Sequence, residues 1–237
     1  LFGWQNGGLS KRSRLIMVLI AAIPLMAINA GKHSMSLPFL GAIDFGLFYP
    51  LILIPIGIIG ATATFNFLAG MNGLEAGQGV IIISALSLVA FLTGNSWLAV
   101  IGFCMVFALM AFLFFNCIPA KVFPGDVLTY SVGSLIAMMS ILGNFEKIAV
   151  FFFIPYILEV MLKSRGKLAK HSFGKPNRDG SLTLLHDKIY GTTHLSIWLM
   201  QKLGIKPTEK KVVCSIWIFQ IIIIMLGFIL FRQGIFG

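Results

Sequence analysis

The sequence predicts an all-α, polytopic integral membrane protein, with seven transmembrane helices in 237 residues and one sizeable loop outside the lipid. Three observations carry this. Hydrophobic residues make up 58% of the chain, and the mean hydropathy is +0.94. Only 11% of residues are charged, against about a quarter in a soluble domain. The apolar residues fall in seven runs, each near the roughly 20 residues that a helix needs to cross a bilayer. The runs are too long and too uniformly apolar for barrel strands, and a lipid-exposed backbone must bond to itself.

In chain order the runs are 14–31, 45–66, 78–94, 96–117, 127–144, 147–163 and 212–232. The first follows a basic lead of Lys11, Arg12 and Arg14. The second ends at Asn66, where the polar, glycine-rich stretch Asn66-Phe-Leu-Ala-Gly-Met-Asn-Gly-Leu-Glu-Ala-Gly77 separates it from the third. The fourth and fifth are separated by a second polar junction, Phe123-Pro-Gly-Asp126. The sixth contains an acid, Glu159, and is bordered by Lys163. Residues 164–211 then form the main extramembrane loop. Its Asn-Arg-Asp-Gly180 turn predicts a small hairpin after His171. Residues 182–203 predict an interfacial amphipathic helix that offers Leu185, Ile189, Trp198, Leu199 and Leu203 to the lipid and is interrupted at Gly191-Thr-Thr. The whole of 1–237 reads as one transmembrane domain with 164–211 as a loop within it.

Helical spans alternate the connections between two sides. The N-terminus, 67–77, 118–126 and 164–211 share one side, which carries 15 of the 18 Lys and Arg residues. An excess of basic residues marks the cytoplasmic face. The net charge of +10 is therefore topological, with a share left for anionic lipid or phosphate, and it does not point to nucleic acid. In a prokaryote the membrane would be the cell membrane. The three cysteines, Cys104, Cys117 and Cys214, show no metal spacing and read as small buried residues. His33, His186 and His194 show no metal spacing either.

Both polar junctions and the basic loop fall on the cytoplasmic side. Asn66 offers an amide oxygen to a cation, and Asn72 offers a donor and an acceptor suited to a uracil edge. Gly70, Gly73 and Gly77 allow tight turns and close ligand approach; a plain flexible turn is the competing reading. Asp126 is either a helix cap or a hard oxygen ligand for Mg²⁺. Phe123 either stacks on a base or anchors at the interface. Lys170, His171 and Lys175 either reach a pyrophosphate or form a solvated basic face. Glu159, an acid inside a span, is a functional candidate or a partner of a neighbouring helix.

The Asn66–Gln78 stretch, the Phe123-Pro-Gly-Asp126-Val-Leu-Thr-Tyr run and the His171 loop together resemble the polyprenyl-phosphate N-acetylhexosamine-1-phosphate transferases. The wording Asn-Phe-Leu-Ala-Gly-Met-Asn-Gly-Leu-Glu-Ala-Gly is similar to the archaeal and eukaryotic branch, which uses UDP-N-acetylglucosamine and dolichyl phosphate. Bacterial cell-wall relatives usually carry an Asp-Gly-Leu-Asp-Gly type sequence there. The resemblance implies a family of about ten transmembrane helices, so that roughly three would precede Leu1. It also implies an adjacent Asp-Asp pair just upstream of Leu1-Phe-Gly-Trp4.

By residue, it implies that Asn66 and Asp126 hold Mg²⁺ (with Mn²⁺ as the alternative ion) against the donor pyrophosphate. Gly70, Asn72 and Phe123 would frame the uracil, with Glu75 the acid of that turn. Arg14 stands where the family usually has a phosphate-contacting lysine. His171 matches the histidine of a basic triplet that Lys170 extends; Ser172 departs from it. The implied reaction moves N-acetylglucosamine-1-phosphate from UDP-N-acetylglucosamine to a polyprenyl phosphate and releases UMP. Other hexosamines, undecaprenyl phosphate and a homodimer stay open. A transporter would want more charge inside the spans than Glu159 supplies, and a non-catalytic membrane scaffold is the third class.

Overall fold

The computed structural model describes residues 10–37, 41–168 and 170–236; Leu1–Trp4 and the features upstream of it lie outside the described residues. Helices dominate. In chain order they are α1 (Lys11–Ala27), α2 (Ile54–Phe67, entered through a π-helical turn at Tyr49–Leu53), α3 (Leu74–Leu92) and α4 (Ser96–Asn116). Then come α5 (Asp126–Gly143), α6 (Glu146–Phe152), α7 (Ile154–Ser164), α8 (Thr192–Lys202), α9 (Glu209–Leu230) and α10 (Arg232–Phe236). Two small antiparallel hairpins complete the order: β1 (Ser34–Leu37) with β2 (Gly41–Asp44), and β3 (Lys175–Pro176) with β4 (Leu182–Thr183).

Among the described residues, five helical stretches are long and apolar enough to cross a membrane: Tyr49–Phe67, α3, α4, α5 and α9. Two of the seven expected spans differ from that pattern. The first forms the 17-residue α1 and stops short of residue 31, with Asn29 in the left-handed region at φ 54°. The sixth is broken at Phe153 into α6 and α7, because Pro155 has no N–H to continue the ladder. The carbonyl of Phe152 beside the break is taken by Gln220 Nε2 of α9 at 2.8 Å, so the break leaves it satisfied inside an apolar environment.

Both elements still connect the same two ends of the bundle. Arg14 of α1 pairs with Asp126 at one end, while Gly31 beyond the other end lies against Tyr49. Tyr49 donates its hydroxyl to Glu146 at the start of α6, and Lys163 near the end of α7 donates to the Phe67 carbonyl at the end of α2. Asp126 and Phe67 thus mark one end of the bundle, the site end.

α3 is the most enclosed of the five long helices, 72% buried against 28–50% for the others. Apolar attraction between helices is weak in lipid, so close backbone approach and van der Waals packing hold such bundles together. Gly133 of α5 supplies that approach: a Cβ there would lie 2.7 Å from the Cα of Thr62 in α2. Large apolar side chains such as Phe107, Phe114 and Met225 face outward. Cys104 and Cys117 are also exposed. The expectation that they are buried fails, since a small apolar residue is equally at home on the outer face of a span.

The loop hairpin forms as expected. Its turn is closed by Asn177 N–H to the Ser181 carbonyl at 2.8 Å, with Gly180 at φ +77°. The expected amphipathic helix over 182–203 is shorter. Residues 182–183 pair in β4, and helix begins only at Thr192, where Glu159 receives the backbone N–H. Leu199 and Leu203 are exposed on it, and Leu185 is exposed ahead of it.

Candidate functional site

Asp126 is the first residue of α5, with Gly125 as the cap and no side-chain cap bond. The cap reading of Asp126 is therefore set aside: its carboxylate reaches across to other elements. One oxygen pairs with the Arg14 guanidinium of α1. The other accepts from Asn66 Nδ2 of α2 at 2.9 Å, and the same nitrogen donates to Thr129 Oγ1 at 2.8 Å. Residues 14, 66 and 126, separated by 52 and 60 positions in the chain, thus meet at the site end. An acid in the first turn of α5 also suits the helix dipole.

The donor set fits a magnesium-type ion. It contains one carboxylate, one amide and a basic neighbour, and Mg²⁺ is commonly held by one or two carboxylates together with substrate phosphates. No group of three or more His, Cys, Asp or Glu side chains converges among the described residues, so an all-protein cage is not offered. Asn66 here turns its nitrogen toward Asp126. Turned over, it would set two acceptor oxygens face to face, an arrangement that a shared cation favours.

The glycine-rich turn lies next to this cluster. Gly70 sits at φ +115° and Gly73 at φ +78°, conformations that only glycine adopts readily. A Cβ on Gly70 would overlap the ring of Phe173. The N–H of Gly70 donates to Glu75 Oε1 at 2.6 Å, that of Asn72 to Glu209 Oε1 at 2.8 Å and that of Gly73 to Asn116 Oδ1 at 3.0 Å. Glu75 is 3% exposed and points inward as a brace of the turn. Phe123 is 59% exposed and lies with Pro124 and Val127 on a cavity of about 370 Å³ between α4 and α5.

The basic loop is tied over the turn. Glu159 Oε2 accepts from the N–H of Thr192 at 2.6 Å and from its hydroxyl at 2.8 Å, while Oε1 pairs with Lys163 at 3.3 Å. Thr193 donates to the Ser172 carbonyl at 2.5 Å. His194 and the Phe173 carbonyl are 3.3 Å apart. His171 stacks on Phe173 with centroids 5.8 Å apart, so it sits beside the ring that covers Gly70. Lys170 lies over the Tyr190 ring at 5.9 Å, and Lys175 opens β3 on the exposed side. Burial holds His194 below the ordinary histidine range, with neighbouring His186 adding to the effect. Hydrogen bonds from Ser181, then Lys206, hold the Asp179 carboxyl of the hairpin below its usual range.

A second cavity of about 370 Å³ runs between α2, α5 and α6–α7. It is lined by apolar residues such as Ala61, Ile136, Ala137 and Met161, and reaches Thr64, two residues before Asn66.

Sequence reading did not single out Asn116, Thr129, Lys163, Phe173 or Glu209. Asn116 and Lys163 carried a usable signal, since each is a polar residue at the end of an apolar run. Phe173 and Glu209 carried none, because their partners lie far away in sequence; Thr129 stands in the Phe123–Tyr130 run, but its bond to Asn66, 63 positions away, left no mark there.

Comparison with known proteins adds a family. Residues 7–144 match glycosyl transferase family 4. A Saccharolobus solfataricus protein provisionally named UDP-N-acetylglucosamine–dolichyl-phosphate N-acetylglucosaminephosphotransferase is 37% identical over 219 residues, covering 92% of this chain and 66% of its own length. The Dictyostelium discoideum protein of that name is 30% identical over 193 residues, covering 68% of this chain and 47% of its own length. A phospho-N-acetylmuramoyl-pentapeptide-transferase of Streptococcus thermophilus is 31% identical over 218 residues, covering 90% and 60%. The chain thus spans just under two thirds of the length of the first of these relatives.

Proposed function

Because the chain belongs to glycosyl transferase family 4, we propose that it transfers N-acetylglucosamine-1-phosphate from UDP-N-acetylglucosamine to a polyprenyl phosphate of the dolichyl type. The observation that carries this reading is the meeting of Arg14, Asn66 and Asp126 at one end of the bundle, beside a glycine turn and under a basic loop. The archaeal relative's name supports the donor and the acceptor. The Streptococcus relative keeps the same chemistry with a different donor sugar as the second reading.

In the reaction, an oxygen of the polyprenyl phosphate attacks the sugar-bearing phosphorus. The bond from that phosphorus to the bridging oxygen breaks, and UMP leaves with the electron pair. Phosphoryl transfer asks mainly for positioning and charge neutralisation. Asn66 and Asp126 would hold Mg²⁺, or Mn²⁺ in its place, and the ion when bound draws charge from the donor pyrophosphate. Arg14 orients Asp126 and lies within reach of a phosphate drawn to that cluster. Asn72, Gly70 and Phe123 frame the base, and Glu75 braces the turn that does so. His171 and Lys170, with Lys175 on the hairpin, present positive charge to the sugar-phosphate. The apolar groove ending at Thr64 offers the acceptor's lipid chain a path to the site from the membrane plane.

The asymmetry of basic residues supports a site that faces the cytoplasm, in a prokaryote from the cell membrane. A homodimer belongs to the same proposal. The test is UMP release by the full-length protein supplied with polyprenyl phosphate and UDP-N-acetylglucosamine. Asp126→Asn is expected to lower turnover by about two to three orders of magnitude; near-normal turnover would remove Asp126 from the site.

A further inference from the structure

The turn bearing Gly70 and Asn72 is held from behind by three helices at once. Glu75 of α3 and Asn116 of α4 are buried, at 3% and 0% exposure, and each lies within or close to a polar junction. Glu209 is different: it reaches Asn72 from 137 residues away, at the first residue of α9. Its carboxylate takes the Asn72 N–H at 2.8 Å, a charge-assisted bond stronger than one between neutral groups. The Asn72 side chain ends in a buried oxygen, Oδ1, with no hydrogen-bond partner among the described residues. A buried acceptor left that way is unfavourable unless a ligand or an ordered water donates to it.

We infer that Glu209 is a positioning residue for the nucleotide donor: by fixing the backbone of Asn72 it aims the buried Oδ1 at an N–H on the edge of the donor's base. A uracil ring has such a donor at its imide nitrogen; a cytosine ring has an acceptor at the same place. Glu209 touches the turn and not the ligand, so it acts on donor recognition and leaves the transfer step alone. The inference rests on the transferase reading above.

The test is steady-state UMP release by the full-length protein and three variants. Glu209→Ala is expected to raise the KM for UDP-N-acetylglucosamine about tenfold, with kcat and the KM for polyprenyl phosphate within about twofold of wild type. Glu209→Gln keeps an acceptor oxygen and recovers most of the donor KM. If Glu209 served only the dipole of α9, Gln would behave like Ala, and that result overturns the inference. Glu209→Asp keeps the charge at the same helix end but is one methylene short; it gives an intermediate donor KM, and a wild-type value there also overturns it. Inhibition by UMP weakens in step with the donor KM in Glu209→Ala, and inhibition by CMP does not. Equal damage to kcat and to both KM values marks a structural role and overturns the inference. Wild-type protein that releases no UMP sinks the transferase reading together with this one. Normal wild-type turnover matched by Glu209→Ala sinks only the positioning role.

Discussion

At the scale of single residues, the arrangement is governed by who satisfies whom. Arg14 and Asn66 both address Asp126, so each should matter through the same carboxylate. Arg14→Ala is expected to lower kcat/KM by about 10² and Arg14→Lys by less, because lysine keeps the charge and loses the planar fork; UMP-release kinetics check both. Gly70 has a backbone reason to be glycine, φ +115°, and a steric one, the Phe173 ring. Gly70→Ala should cost about 1–3 kcal/mol locally and displace Phe173, read as weaker donor binding and a lower Tm. Asn66, Asp126, Gly70 and Asn72 were legible in the sequence because they stand in polar words between apolar runs. Phe173 and Glu209 were not, since an aromatic residue in a loop and an acid at a helix start carry no mark of a distant partner.

At the scale of elements, α7 and α8 are joined by one buried carboxylate. Glu159 binds the N-terminus of α8 with one oxygen and Lys163 with the other, and Lys163 in turn holds the end of α2. Removing one partner of a buried pair leaves the other uncompensated, so Glu159→Ala should cost about 3–5 kcal/mol. The expected sign is faster hydrogen exchange over 170–202 with the transmembrane helices unchanged. His194 adds a pH dependence to the same unit. Burial lowers its proton affinity in the folded state, so the unfolded loop takes up more protons once the pH falls below the ordinary histidine value of 6.5. The loop's stability is therefore complete above that value and declines as the pH falls toward the depressed one. Protection factors over 170–202, which remove the intrinsic slowing of amide exchange on acidification, should fall as the pH drops below 6.5, and His194→Gln should flatten that profile. The hairpin of this loop was legible from Asn-Arg-Asp-Gly. The late start of α8 was not, because Glu159, which fixes it, is 33 residues away. The break at Phe153 had its signal in Pro155, masked by an otherwise unbroken apolar run.

At the scale of the molecule, the bundle brings distant polar words to one end, and that is its functional consequence. The apolar runs and the uneven spread of Lys and Arg made the polytopic fold and the shared face legible, since both follow from what lipid excludes. The packing order did not follow from either: in lipid the helices are told apart by close approaches such as Gly133 against Thr62, which a hydropathy pattern does not record. The central claim is that Asn66 and Asp126 grip one ion. The most direct measurement is UMP release titrated with Mg²⁺ for wild type, Asn66→Ala, Asp126→Asn and the double variant. The account predicts that each single change raises the Mg²⁺ concentration needed for half-maximal rate, and that the double costs clearly less than the two combined, as expected of groups acting on one ion. Independent, additive effects, or full activity of the wild type in excess chelator, would contradict it.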